Sequence, residues 1–246
     1  MPQTAIGVIG ADTRQDYLAR YLAERGFTVC RREEFSPEIL EEVQLLIGPV
    51  TFYKNGQLIR EIAEACKRDT LRQSAEKGTV LNYMACEDFL LRNAALTAEG
   101  FLSILIASTP FSLEEARILL LGLGRCGKAL ESVLERFPCR VTASDQIPEK
   151  ISPEEAYNVV VNTIPAQVIK REHLNSLPKD CILFDLASAP GGYDREAVKE
   201  LGLSFFHCPG IPGKMSPQSA GYAIGRCAVR YLEDRTVTLE AAEITA

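Results

Sequence analysis

The chain has 246 residues, of which 46% are hydrophobic and 24% charged, and its formal net charge is −6. This is the make-up of an ordinary globular protein with one large or two modest domains, each able to bury a core. The acidic balance, with no Lys/Arg block, argues against nucleic acid or an anionic membrane surface as a partner.

Residues 5–10 (AIGVIG) read as an apolar strand closing on glycine. No charged leader precedes them, so no signal peptide is expected and the expected compartment is the cytoplasm. Residues 14–25 carry Leu18, Tyr21 and Leu22 at helical spacing, and residues 27–30 form a second strand. Ser36-Pro37 predicts a capped helix start. Residues 45–48 and 79–82 predict a third and a fourth strand. Strand and helix alternate, so residues 1–95 are expected to form a small α/β domain with a mostly parallel sheet.

Residues 87–108 are a long, largely apolar helical stretch, read as the connector between two halves. Its apolar runs, such as 101–107, are too short to span a bilayer. Ser112 and Glu115 are spaced as a capping box ahead of the next strand. Strands are then expected at 118–121, 139–143, 159–161, 181–186 and 203–206, with Ser152-Pro153 predicting a capped helix among them. Residues 96–216 thus read as a Rossmann-type, doubly wound parallel sheet. A last helix runs from Ser216-Pro217 to about Glu233. Residues 217–246 are expected to rejoin the first domain, with a loosely ordered tail from Arg235.

The most specific signal is Gly122-Leu123-Gly124-Arg125-Cys126-Gly127, set directly between the strand ending at Leu121 and a helix expected over 128–137. In that setting G-x-G-x-x-G is the fingerprint of a dinucleotide-binding turn. Gly122 permits the tight turn, Gly124 lets the backbone approach a pyrophosphate, and Gly127 lets helix and strand pack closely. The phosphates would sit on N–H groups at the helix start. Asp145, 23 residues after Gly122, is placed to bond a ribose hydroxyl, which favours NAD. Ser144 beside it could instead bond a 2′-phosphate, so NAD and NADP both stay open.

Eight cysteines occur, none in C-x-x-C spacing, and with two histidines they make no metal cluster; no metal is expected. Reduced cysteines acting as small hydrophobes fit this pattern. Cys126 reads as a packing residue; a pKa lowered by its place at a helix start is the lesser alternative. His173 reads as a surface helix residue and His207 as strand-end packing.

Ligands of an open parallel sheet bind beyond the carboxyl ends of its strands. Three loops fall there: Asn162-Thr163-Ile164-Pro165, residues 185–192 (DLASAPGG) and residues 208–214 (CPGIPGK). With these in view the chain resembles the A subunit of dipicolinate synthase, the family that makes the calcium chelator of bacterial spores. The resemblance rests on residues 10–15 (GADTRQ), 82–89 (NYMACEDF), 93–100 (NAALTAEG), the glycine turn, N-T-I-P-A, D-L-A-S-x-P-G-G and P-G-I-P-G-K running into S-P-Q-S-A-G. The chain departs from the family in a shorter segment before the N-T-I-P strand, a shortened N-terminal half, and Ser144 where the family tends to carry a basic residue.

The resemblance implies an oxidoreductase. A dihydropyridine dicarboxylate would give hydride to a nicotinamide, NADP in the family, and lose a proton to become dipicolinate. A flavoprotein-like B subunit would be its partner, and an oligomer of identical chains is expected. Thr163, Ile164, Pro165, Ala187 and Ser188 would flank the nicotinamide. Glu99 and Asp185 are the candidate proton acceptors, and Arg14, Thr97 and Lys214 the candidate substrate contacts. A related dehydrogenase, similar to alanine or shikimate dehydrogenases, and a non-catalytic nucleotide-binding regulatory subunit are the alternatives.

Overall fold

The computed structural model describes residues 5–54, 57–60, 62, 64, 79–147, 151 and 153–233. Two parallel sheets organise the chain into two units: the described residues up to Asn93 with those from Pro212 onward, and Ala94 to Ile211.

In the first unit β1 (Ala5–Ile9), β2 (Thr28–Arg32), β3 (Leu45–Ile47) and β6 (Thr79–Val80) lie in the order β2-β1-β3-β6, every neighbouring pair parallel. Alternate side chains of a strand point to opposite faces. Ile6, Val8, Leu45 and Ile47 therefore enter one layer with Leu18, Tyr21 and Leu22 of α1 (Thr13–Ala23). Ile9 and Leu46 enter the other with Ile39 and Leu40 of α2 (Ile39–Glu42). A short antiparallel pair, β4 (Tyr53–Lys54) and β5 (Gln57–Leu58), follows β3. The helix expected at Ser36-Pro37 starts instead at Ile39, with no side-chain cap, and the Ser36 hydroxyl accepts from Arg32 Nη1 at 3.3 Å.

In the second unit β7 (Arg117–Leu121), β8 (Arg140–Ser144), β9 (Val159–Asn162), β10 (Ile182–Asp185) and β11 (Ser204–His207) order as β11-β10-β9-β7-β8, again all parallel. By order of appearance this is 2-1-3-4-5, whose switch point lies between the first and third strands, here β7 and β9. Ile118, Leu120, Val159, Val161, Ile182 and Phe184 face one layer, shared with Ala98, Phe101 and Leu105 of α3 (Glu87–Ser108) and with Leu130 and Leu134 of α4 (Arg125–Leu134). Leu119, Leu121, Val160 and Leu183 face the other, with Leu174 of α5 (Arg171–Leu174) and Ala197 and Val198 of α6 (Arg195–Leu201). Burial on both faces explains why these strands read as unbroken apolar runs.

The expected fold class, α/β with a doubly wound Rossmann-type sheet and a second α/β unit, is what the structure shows, with five parallel strands in the Rossmann-type sheet and four in the other. The capping box forms as expected: the Ser112 N–H and hydroxyl both donate to Glu115 Oε2, at 3.2 and 3.0 Å. By length and composition α3 is apolar enough to cross a membrane, contrary to expectation. Its Phe89, Ala94, Leu96, Ala98, Phe101 and Leu105 are nevertheless buried within the protein. At Pro153–Glu155 only a 3-10 turn forms, Ser152 lying outside the described residues. The short helix α5 forms around His173, which was read as helical, whereas α7 (Ile211–Met215) was not anticipated. The last helix, α8 (Pro217–Glu233), has the expected bounds and lies on α1 so closely that a Cβ on Gly221 would come within 2.4 Å of the Arg14 carbonyl oxygen. The expected loose tail, residues 235–246, lies outside the described residues.

Candidate functional site

Parallel register brings Leu121, Ser144, Asn162 and Asp185 to one edge of the second sheet. The glycine turn, Asp145, the Thr163 loop and the Ala187-Ser188 loop all leave the sheet from that edge. At Gly122 φ is +92°, in the left-handed region, and a Cβ there would strike the Thr163 hydroxyl at 2.5 Å. A Cβ on Gly127 would fall 1.8 Å from the Gly122 carbonyl oxygen, so α4 starts directly against the end of β7. Gly124 differs: a Cβ would meet nothing within 4 Å. It is also the N-cap of α4, without a side-chain cap bond. The helix therefore begins at Arg125, three residues before the expected start, because the glycine turn itself supplies the cap. Open space over a helix start lacking its own acceptor is what a pyrophosphate requires. The residues present fit a dinucleotide.

Two side chains brace this turn. The Leu123 N–H donates to Asp145 Oδ1 at 2.9 Å. The Thr163 hydroxyl lies 3.1 Å from both the Leu121 and Gly122 carbonyl oxygens. Ser144 turns its hydroxyl to the Gln146 carbonyl at 2.5 Å. Ile164 packs into the core and Pro165 is exposed. Arg125 is exposed at the first turn of α4. Cys126 next to it behaves as a packed residue: burial pushes its thiol up, outweighing a hydrogen bond from Thr97 and the charge of Arg125, so the lowered-pKa alternative falls away.

Thr97 is buried against that thiol. Glu99, two residues along α3, is exposed. Residues i and i+2 of a helix point to different sides, so Thr97 and Glu99 cannot share a face.

Asp185 is fully buried, and donors of its own chain fill both its oxygens. Oδ1 accepts from Asn162 Nδ2 at 2.9 Å and from the Ala187 N–H at 3.3 Å, while Oδ2 accepts from the Gly192 N–H at 3.0 Å. Asn162, also fully buried, further donates to the Ile164 carbonyl at 3.0 Å and accepts from the Ile164 N–H at 3.1 Å. The pair knits the loops after β9 and β10 together. Ser188 is exposed beyond it. Sequence reading passed over Asn162; an Asn closing a strand before Thr-Ile-Pro is the side-chain turn signal that would have flagged it.

Arg14 and Lys214 both belong to the first unit. Arg14 donates Nε and Nη2 to Asp12 at 3.0 and 2.7 Å, and Asp12 Oδ1 also caps α1 through the Arg14 N–H at 2.8 Å. Gly213, beside exposed Lys214, sits against the guanidinium, a Cβ there falling 2.6 Å from Nε. Tyr83, fully buried, donates to the Gly48 carbonyl at 3.1 Å. The histidines differ from expectation. His173 is buried, its Nδ1 accepting the Lys170 N–H at 3.0 Å, and His207 is exposed. Among the described residues there is no metal-binding cluster of His, Cys, Asp and Glu.

No family model matches the chain. It is 21% identical over 289 aligned residues to the A subunit of dipicolinate synthase from Bacillus subtilis (strain 168), covering 93% of this chain and 96% of that protein. The crystal structure of the A subunit of dipicolinate synthase from Bacillus halodurans superposes with a TM-score of 0.75 at 20% identity, covering 93% and 97% of the two chains. NAD+-bound 3-phosphoglycerate dehydrogenase of Entamoeba histolytica shares the fold more loosely, with a TM-score of 0.59 at 16% identity and coverage of 96% and 97%. The resemblance read from the motifs is thus borne out: over nearly its whole length the chain is similar, in sequence and in fold, to the A subunit of dipicolinate synthase.

Proposed function

We propose that the chain is a cytoplasmic NAD(P)-dependent dehydrogenase of the dipicolinate synthase type, oxidising a dihydropyridine dicarboxylate to dipicolinate with a flavoprotein-like B subunit. The observation that carries this reading is the glycine turn at the switch point, without a side-chain cap and open over Gly124. The names of the relatives support the reaction.

Backbone N–H groups from Gly124 to Gly127 hold the diphosphate. Asp145 faces the adenosine ribose, and its carboxylate repels a 2′-phosphate, so NADH is the preferred partner over NADPH. Thr163, Ile164, Pro165, Ala187 and Ser188 border the nicotinamide, which when bound supplies the hydride acceptor. Glu99 takes the proton lost on aromatisation. Arg14 and Lys214 clamp the two substrate carboxylates. Asp185, with its oxygens already filled, is a positioning residue that fixes the loop carrying Ala187 and Ser188. Thr97 positions the start of α4 through Cys126. Self-association into an oligomer belongs to the same reading.

Titration of the purified chain with NADH and NADPH, followed by nicotinamide fluorescence, tests it. Saturable binding with NADH tighter is expected, and D145S should move the ratio toward NADPH by about tenfold, or 1.4 kcal/mol. Absence of binding to either coenzyme overturns the reading. Turnover of dihydrodipicolinate with the B subunit should fall roughly 10²- to 10⁴-fold in E99Q at little change in KM. Unchanged turnover removes Glu99 from the chemistry.

A further inference from the structure

Cys86 and Cys227 lie 141 positions apart in sequence, yet their sulfurs approach to 2.9 Å. Bonded sulfurs sit at about 2.05 Å, so a small shift of either side chain closes the gap. Cys86 directly precedes α3, and Cys227 sits in the middle of α8. Both pack in the first unit's core layer with Tyr83, Phe89 and Ile224. Arg230, one turn beyond Cys227, is ion-paired with Asp88 at 2.5 Å, so a second contact fixes the same approach. The two thiols differ in access: Cys227 is 5% exposed and Cys86 only half-buried. Cys86 is therefore the sulfur that solvent reaches, while burial, the Cys86 sulfur and the Asp88 charge push the Cys227 thiol up, against Arg226.

We propose that Cys86 and Cys227 are a redox modification site, closing to an intramolecular disulfide in exchange with a low-molecular-weight disulfide. The Cys86 thiolate attacks the external disulfide, forming a mixed disulfide and expelling one thiolate. The Cys227 sulfur, after losing its proton, attacks the Cys86 sulfur and expels the second. Two protein thiols lose two protons and two electrons, and the external disulfide is reduced to two thiols. The bond ties α8 to the segment leading into α3, and so fastens the chain's return onto the unit where it began.

The test treats the native chain with oxidised glutathione, alkylates the remaining thiols after denaturation and maps the peptides. Titratable thiols should fall from eight to six, with one linked peptide pair joining Cys86 to Cys227. The melting temperature should rise by about 5 °C or more through closure of so long a loop. Dithiothreitol should reverse both changes, and C86S should show neither. C227A keeps the buried site apolar and should stop the reaction at a glutathione adduct on Cys86. Eight remaining thiols, a link between other cysteines, or a persistent glutathione adduct on Cys86 in the unsubstituted chain would each overturn the proposal.

Discussion

The two units repeat one topology and differ at its most informative point. In each, the first strand runs into a helix between two flanking parallel strands, in the order 2-1-3-4. After β1 the helix start is already occupied, for Asp12 caps α1 and its carboxylate also holds Arg14. After β7 the cap is Gly124, with no side-chain acceptor and open space above it. An anion-binding helix start depends on what the chain leaves vacant more than on strand order. One unit has filled the position with its own carboxylate. The other leaves it open.

The largest effect should come from G127A, whose Cβ has no room beside the Gly122 carbonyl. A loss of more than about 3 kcal/mol of stability is expected, with coenzyme affinity down about 100-fold by the glycine geometry, read by urea unfolding and fluorescence titration. D185A comes next. It strands one N–H of Asn162 Nδ2 and the Ala187 and Gly192 N–H groups in the interior, at a cost of about 2–3 kcal/mol. Retained stability in D185A would mean that the loops hold their place without the buried carboxylate. G124D makes the second unit imitate the first. It has space to fold, so its melting temperature should barely change, while coenzyme binding weakens about 10- to 100-fold, or 1.4–2.8 kcal/mol. Unweakened binding in a folded G124D breaks the comparison.

The smallest effect is at Asp12. D12A removes a helix cap, worth about 1 kcal/mol. Burial alone would raise this carboxyl, but the Arg14 guanidinium, backbone N–H and charge outweigh it and hold Asp12 below its ordinary 3.8. Its stabilisation is therefore complete above pH 3.8 and fades as pH falls through the depressed folded value. Unfolding curves between about pH 5 and about pH 2 should show a shallower acid limb in D12A than in the unsubstituted chain.

Local signals carried far here. The run ending at Leu121, the glycines after it and the proline opening α8 are each decided within a few residues, and each was legible. What escaped depends on partners distant in sequence. Asn162 meets Asp185 only because β9 and β10 pair in one register. Nothing near Cys86 announces Cys227. His173 reads as a polar helix residue until tertiary packing buries it and the Lys170 N–H finds its ring. Cys126 was legible as a packing residue, and desolvation does outweigh the helix start there.

The second unit is an insertion within the first, whose described residues resume only at Pro212. Ala223, Ile224, Cys227 and Ala228 of α8 are part of the core that covers β1 and β3. During synthesis the inserted unit has its strands and helices in hand while its host still lacks α8. The Rossmann-type sheet is thus complete before the remainder can close, and a truncation ahead of Pro217 would bare the side of α1 that α8 packs against.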